Sequence, residues 1–180
     1  SLSLESMHLS NVAFKLLAQN TSLRRLSLRY SNLSNQVLQW LISSVSIQEL
    51  RVSCSCFVPY SITFGLDDLV RNSVLQQLDL SGWIIENVSV LVSHTSLTKL
   101  VCGDEVRSVM KKMIQLDPLH FTQTKLQSIV FCTNDVALAM RDCQRLRSHL
   151  PEHVKVEVTP FPELQDFGCT ETESSVDNFM

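Results

Sequence analysis

Glycine is scarce in this chain, at four residues, and proline stands at only five. Neither G-x-x-x-x-G-K nor G-x-G-x-x-G occurs. The glycine-rich backbone cradle that holds phosphates is therefore excluded, and no cofactor is expected. Positive charge is not in excess either: 15 Lys and Arg stand against 18 Asp and Glu, a net charge of −3. That balance gives no electrostatic reason to expect nucleic acid or an anionic membrane as partner. No apolar run approaches the length of a bilayer span. The opening Ser1-Leu2-Ser3-Leu4 has no basic region leading into an apolar stretch, so it does not read as a signal peptide. The six cysteines (Cys54, Cys56, Cys102, Cys132, Cys143 and Cys169) are scattered and form no disulfide framework. They are expected as small buried hydrophobes in a reducing compartment, which points to the cytoplasm. Three glycosylation sequons, at Asn20, Asn32 and Asn87, run against that expectation.

What the chain does have is core-forming material and a recurring phrase. Hydrophobic residues make up 44% and charged residues 18%, a balance that supports a packed core. The phrase is an apolar residue, two free positions, an apolar residue, one free position and a third apolar residue. It appears within Thr21–Leu28, Ser46–Val52, Val74–Leu80, Ser96–Cys102 and Lys125–Phe131, with a clipped copy at Ser1–Leu4. Its first apolar positions are Leu23, Ile47, Leu75, Leu97 and Leu126, spaced by 24, 28, 22 and 29 residues. Alternation within each phrase is that of a short strand with one buried face. A chain that repeats itself at this period is expected to form a solenoid.

Helices are expected in the returns. Asn35–Ser44 carries Val37, Leu38, Leu41 and Ile42 at helical spacing behind Ser34 as N-cap. Shorter helices are expected over Gly65–Val70 and Val88–Val92, and longer ones over Asp104–Gln115 and Asn134–Leu150, where Pro151 stops the last. Val154–Val158 alternates strictly and reads as a final edge strand guarded by Lys155 and Glu157. From Glu163 to Met180 there are five acidic residues and no Lys or Arg. The expected organisation is a repeat region over 1–160 with about six irregular repeats, followed by an acidic, disordered tail over 161–180. The chain opens inside a phrase and without Met, so it is expected to be a piece of a longer array.

The phrases containing Asn20-Thr21-Ser22-Leu23 and His94-Thr95-Ser96-Leu97, with their helical returns, resemble leucine-rich repeats of the ribonuclease-inhibitor type. Such repeats also occur in nucleotide-binding immune receptors and F-box receptor subunits. The resemblance covers about residues 1 to 158. It implies an α/β fold: a right-handed horseshoe with parallel strands on the concave face and helices on the convex face. Three positions after the last strand apolar residue, that family carries Asn or Cys, which bonds the turn. Here those positions hold Met7, Ser31, Ser55, Trp83, Glu105 and Asn134, so only Asn134 matches. Irregular turns and uneven curvature are expected.

Constellations for catalysis or metal binding are weak. Cys54-x-Cys56 has no second pair at zinc-site spacing. Cys143, His149 and His153 are interrupted by Pro151. A Cys–His nucleophile pair has no orienting partner in the sequence. The expected surface comes from alternation instead. It sets Arg25, Ser27 and Arg29 on the face away from the core, then Glu49, Arg51 and Ser53, then Gln77, Asp79 and Ser81. Lys99, Val101 and Gly103 follow, and then Ser128, Val130 and Cys132. Arg25, Arg29 and Arg51 are expected as one cluster able to grip carboxylates or phosphorylated side chains by bidentate bonds. Trp40 is expected between helices. Trp83 is expected as core filling, or as an aromatic anchor if it reaches the rim. The partner-binding set is thus Arg25, Ser27, Arg29, Glu49, Arg51, Asp79, Trp83 and Lys99. The expected function is a non-catalytic module that binds a protein partner, with no metal and no small-molecule substrate. The alternatives are the targeting arm of a larger enzyme assembly such as a ubiquitin ligase, the sensor repeats of an immune receptor, or a small cysteine-dependent enzyme.

Overall fold

The computed structural model describes residues 1–5, 7–29, 33–53, 60–62, 67–103, 106–122 and 124–160. In chain order the elements are β1 (Leu2–Glu5), α1 (Asn11–Gln19), β2 (Arg25–Arg29), α2 (Asn35–Ile42), β3 (Glu49–Ser53), β4 (Tyr60–Ile62), α3 (Asp67–Arg71) and β5 (Gln77–Leu80). There follow β6 (Trp83–Ile85), α4 (Val88–Val92), β7 (Lys99–Gly103), α5 (Val106–Ile114), a 3-10 turn at Pro118–Phe121, β8 (Ser128–Cys132), α6 (Val136–Arg147) and β9 (Lys155–Thr159). Seven strands form one open sheet in the order β1-β2-β3-β5-β7-β8-β9, and every neighbouring pair is parallel. A separate parallel pair joins β4 to β6. Parallel neighbours require a crossover between them, and the helices supply it.

One row of side chains sets the register. Leu2, Leu26, Leu50, Leu78, Leu100, Ile129 and Val156 lie side by side across all seven strands. From Leu26 to Val156 the row is buried. Burying each such side chain stabilises the fold by about 1.5–3 kcal/mol. A one-residue slip of any strand would turn its member of the row to the opposite face, so the apolar alternation fixes the pairing. Helices α2, α4, α5 and α6 bury their apolar stripes against this layer. Ser10, Ser34 and Asp135 cap α1, α2 and α6 by accepting from the backbone N–H three residues on.

The turns that lead into the strands are held by a recurring polar side chain. Asn20 Oδ1 accepts from the N–H groups of Ser22 and Leu23, at 2.9 and 2.8 Å. Asn72 Oδ1 does the same for Val74 and Leu75, at 2.7 and 2.8 Å. His94 Nδ1 accepts from Ser96 and Leu97, at 3.3 and 3.1 Å. These turns are also tied to the preceding unit. Asn72 Nδ2 donates to the carbonyls of Ile42 and Ser44, and His94 Nε2 meets Leu69 O at 2.8 Å. Ser46 and Ser96 hydroxyls donate to Asn20 O and Leu75 O respectively. A polar ladder thus runs along the end of the sheet where the strands begin. Of the six positions where the resemblance looks for Asn or Cys, Ser31, Ser55 and Glu105 lie outside the described residues.

Expected and observed helices agree closely for α2, α4, α5 and α6. The expectations name no helix ahead of Asn35, and α1 is an addition. Of the expected helix over 65–70, residues 65 and 66 lie outside the described residues, and the helix observed is Asp67–Arg71.

Candidate functional site

The face of the sheet away from the helices carries the charged positions. One row across it reads Arg25, Glu49, Gln77, Lys99, Ser128 and Lys155. The next runs through Ser3, Ser27, Arg51 and Asp79 to Val101. A third begins with Glu5, Arg29 and Ser53. Arg25, Arg29 and Arg51 are exposed, while Ser27, Glu49, Asp79 and Lys99 are half-buried.

The three arginines share this face on two adjacent strands. The register partner of Arg51 is Ser27, which sits between Arg25 and Arg29 along β2. Neighbouring strands lie about 4.8 Å apart, so the three guanidinium groups serve one patch. The patch is not purely basic. Arg25 Nε is 3.1 Å from Glu49 Oε1, with side-chain exposures of 68% and 21%. Glu5 stands opposite Arg29 in register. Asp79 Oδ1 accepts from Ser81 N–H at 3.0 Å and Ser81 Oγ at 2.6 Å, which holds its carboxylate still beside Arg51's strand. Two shallow concavities result. One, of about 340 Å³, is lined by Ser3, Glu5, Arg25, Ser27, Arg29, Glu49 and Arg51 among others. The other, of about 140 Å³, is lined by Arg51, Gln77, Asp79, Lys99 and Val101 among others. Arg51 borders both. Small-molecule sites are enclosed and mostly apolar. These hollows are open, the smaller mostly polar and the larger of mixed polar and apolar lining.

Four positions offered for the binding face are buried instead. Trp83 is not on the rim: it is 1% exposed, and its indole N–H donates to Val52 O at 2.9 Å. The ring is large and its one polar atom finds a buried carbonyl, so the interior takes it. Gly103, Val130 and Cys132 are buried as well, although alternation puts them on the charged face. Cys132 Sγ sits 3.5 Å from Thr159 Oγ1 on β9, and β8 offers no charged side chain to this face. The charged patch therefore belongs to β1, β2, β3, β5 and β7. Trp40 matches its expected place: it is half-buried against the core, with Lys15 Nζ 5.9 Å from its ring centroid.

Cys102, Cys132 and Cys143 are free thiols, all buried. Burial pushes the Cys102 thiol far up, and the nearby Asp79 charge adds to that. Burial also raises Cys143, partly offset by Arg147. A thiolate is the reactive form, so neither position suits a nucleophile. Among the described residues no group of three or more His, Cys, Asp or Glu is placed to hold a metal. Cys54 and Cys56 lie outside the described residues. His149 turns its Nδ1 to Arg145 O at 2.8 Å and is exposed, whereas Cys143 is buried in the core, so the structure does not bring that pair together. Among the described residues, no helix is long and apolar enough to cross a membrane.

Sequence reasoning missed the turn-holding roles of Asn20, Asn72 and His94, and of Ser44, whose Oγ accepts from Ser46 N–H at 3.4 Å. A signal was there: Asn20, Ser44, Asn72 and His94 each stand three residues before the first apolar residue of a phrase. Compared with known proteins, the chain matches no family model and no curated protein.

Proposed function

We propose that this chain is a non-catalytic protein-interaction module, a leucine-rich-repeat-like solenoid that binds a protein partner through the exposed face of its parallel sheet. The observation that carries this reading is the row-by-row presentation of Arg25, Ser27, Arg29, Glu49, Arg51, Asp79 and Lys99 on neighbouring strands. A rigid sheet fixes the spacing of these groups before binding, so little conformational freedom is lost on association. Arginine offers paired N–H donors that match carboxylate or phosphate geometry, and Asp79 and Glu49 select against partners with the wrong charge pattern. The finer architecture in this proposal is a right-handed curved array with the sheet on its concave side. Three features support it: the return of the phrase at intervals of 22 to 29 residues, the uniform parallel order, and the contacts between successive helices. In this reading the cytoplasm is the working compartment, because the three described thiols are free and buried.

The test places the wild-type chain and an Arg25→Glu, Arg29→Glu, Arg51→Glu variant side by side as bait in cell extract. A protein retained by the wild type and lost by the variant, with the variant still folded by circular dichroism, is the expected result. Identical sets of retained proteins would end the proposal.

A further inference from the structure

The smaller hollow lies over β5, between β3 on one side and β7 on the other. Gln77 and Asp79 of β5 lie at its centre. Arg51 is the register partner of Asp79, and Lys99 is the register partner of Gln77. Strand spacing and rise put the Cα atoms of Arg51 and Lys99 roughly 12 Å apart, on a diagonal across β5. Long side chains from both corners line the same hollow.

These two cations differ from Arg25, which is committed to Glu49. Among the described residues, no side-chain hydrogen bond or ion pair engages Arg51 or Lys99. Asp79 stands opposite Arg51 in register, yet its Oδ1 is taken by Ser81 N–H and Oγ at 3.0 and 2.6 Å. Arg51 and Lys99 against Asp79 leave the lining with one net positive charge. A carboxylate carries one negative charge and matches it. A phosphorylated side chain carries about 1.5 to 2 negative charges at neutral pH, and sets the excess against Asp79.

We propose that this hollow seats a single carboxylate side chain, Glu or Asp, of the protein partner, gripped by Arg51 from β3 and by Lys99 from β7. Asp79 sets the selectivity by turning phosphorylated side chains away. This inference rests on the reading of the sheet face as a protein-binding surface, and names the chemistry that the partner presents there.

The test titrates three end-blocked pentapeptides into the full chain and follows them by NMR. Each has alanine around a central glutamate, glutamine or phosphoserine. The glutamate peptide is expected to bind best and to shift the side-chain signals of Arg51 and Lys99. Arg51→Gln or Lys99→Gln is expected to weaken it about threefold or more, the scale of one charged contact near the surface. Asp79→Asn keeps an acceptor for Ser81 and is expected to reverse the order, so that phosphoserine binds better than glutamate. A wild-type preference for phosphoserine, equal binding of glutamate and glutamine, or an order unchanged by Asp79→Asn each overturns the proposal. In cell extract, a protein lost by the Arg25→Glu, Arg29→Glu, Arg51→Glu variant is expected to be lost by a folded Lys99→Glu variant too. Full retention by Lys99→Glu of a protein that the arginine variant loses overturns this inference alone and leaves the protein-binding reading standing. Full retention by both ends the two together.

Discussion

The indole N–H of Trp83 donates to the carbonyl of Val52, 31 positions earlier in the chain, at 2.9 Å. The last register pair between β3 and β5 is Arg51–Asp79, so this bond lies just past the end of their pairing. A side chain there takes over from the ladder and satisfies a carbonyl that would otherwise be buried alone. Trp83→Phe keeps an aromatic ring but removes the donor. The expected loss is about 1–3 kcal/mol in urea unfolding, the cost of an unpaired buried group. Trp83→Ala adds a cavity and is expected to lose about 3–5 kcal/mol. If both variants unfolded at the wild-type midpoint, the indole would have no such role.

Asn72 in the polar ladder joins four backbone groups. It accepts from two backbone N–H groups and donates to two carbonyls of the preceding unit. Asn72→Ala leaves all four without this partner and is expected to cost at least about 3 kcal/mol. Asn72→Asp keeps the acceptor but sets a carboxylate against the carbonyls of Ile42 and Ser44, so it is expected to be no milder. Denaturant midpoints decide this, and an alanine variant within 0.5 kcal/mol of wild type, the usual range for surface substitutions, would contradict the ladder.

His94 makes the ladder sensitive to acid. Its Nδ1 accepts from two N–H groups, so the ring is neutral with its proton on Nε2, donated to Leu69 O. Burial lowers its pKa below the ordinary 6.5, and the backbone bond to Leu69 opposes that only in part. The unfolded chain therefore takes up a proton more readily than the folded one. The stability that His94 contributes is whole above pH 6.5 and is lost as pH falls from there toward the lower folded value. The other four histidines are exposed. His94→Asn, which mimics Asn72, is expected to fold and to flatten the decline in midpoint between about pH 7 and 5. An equally steep decline in the variant would place the sensitive group elsewhere.

At β9, Leu150, Val154 and Val156 are buried and Arg147 bonds the Val156 carbonyl, all within residues 1–160. A chain ending at Pro160 is expected to unfold at the wild-type midpoint. A loss of about 1 kcal/mol or more on removing residues 161–180 would show that they contribute to the fold.

The strands of the seven-stranded sheet were legible because every phrase repeats the same alternation, and a row of leucine-type residues permits only one register; β4 and β6 fall outside the phrases and were not. Helices α2, α4, α5 and α6 were legible from apolar spacing. Helix α1 was not: Val12 and Leu16 interrupt its stripe with exposed apolar residues, so periodicity alone does not mark its buried side. The arginine patch followed from alternation, because a strand sends successive side chains to opposite faces. The fate of Trp83 did not follow, since it depends on a carbonyl in another strand. The closing of the face at Val130 and Cys132 was likewise a tertiary matter, set by β9 packing alongside β8.

The central claim is that the arginine patch is the recognition surface. The measurement that meets it most directly is calorimetric titration of a captured, purified partner into the wild-type chain and into the Arg25→Glu, Arg29→Glu, Arg51→Glu variant at two salt concentrations. The expected result is affinity weakened at least about tenfold in the variant, together with a smaller salt dependence than in the wild type. Equal affinities and equal salt dependence, in a variant with unchanged urea midpoint, would contradict the claim.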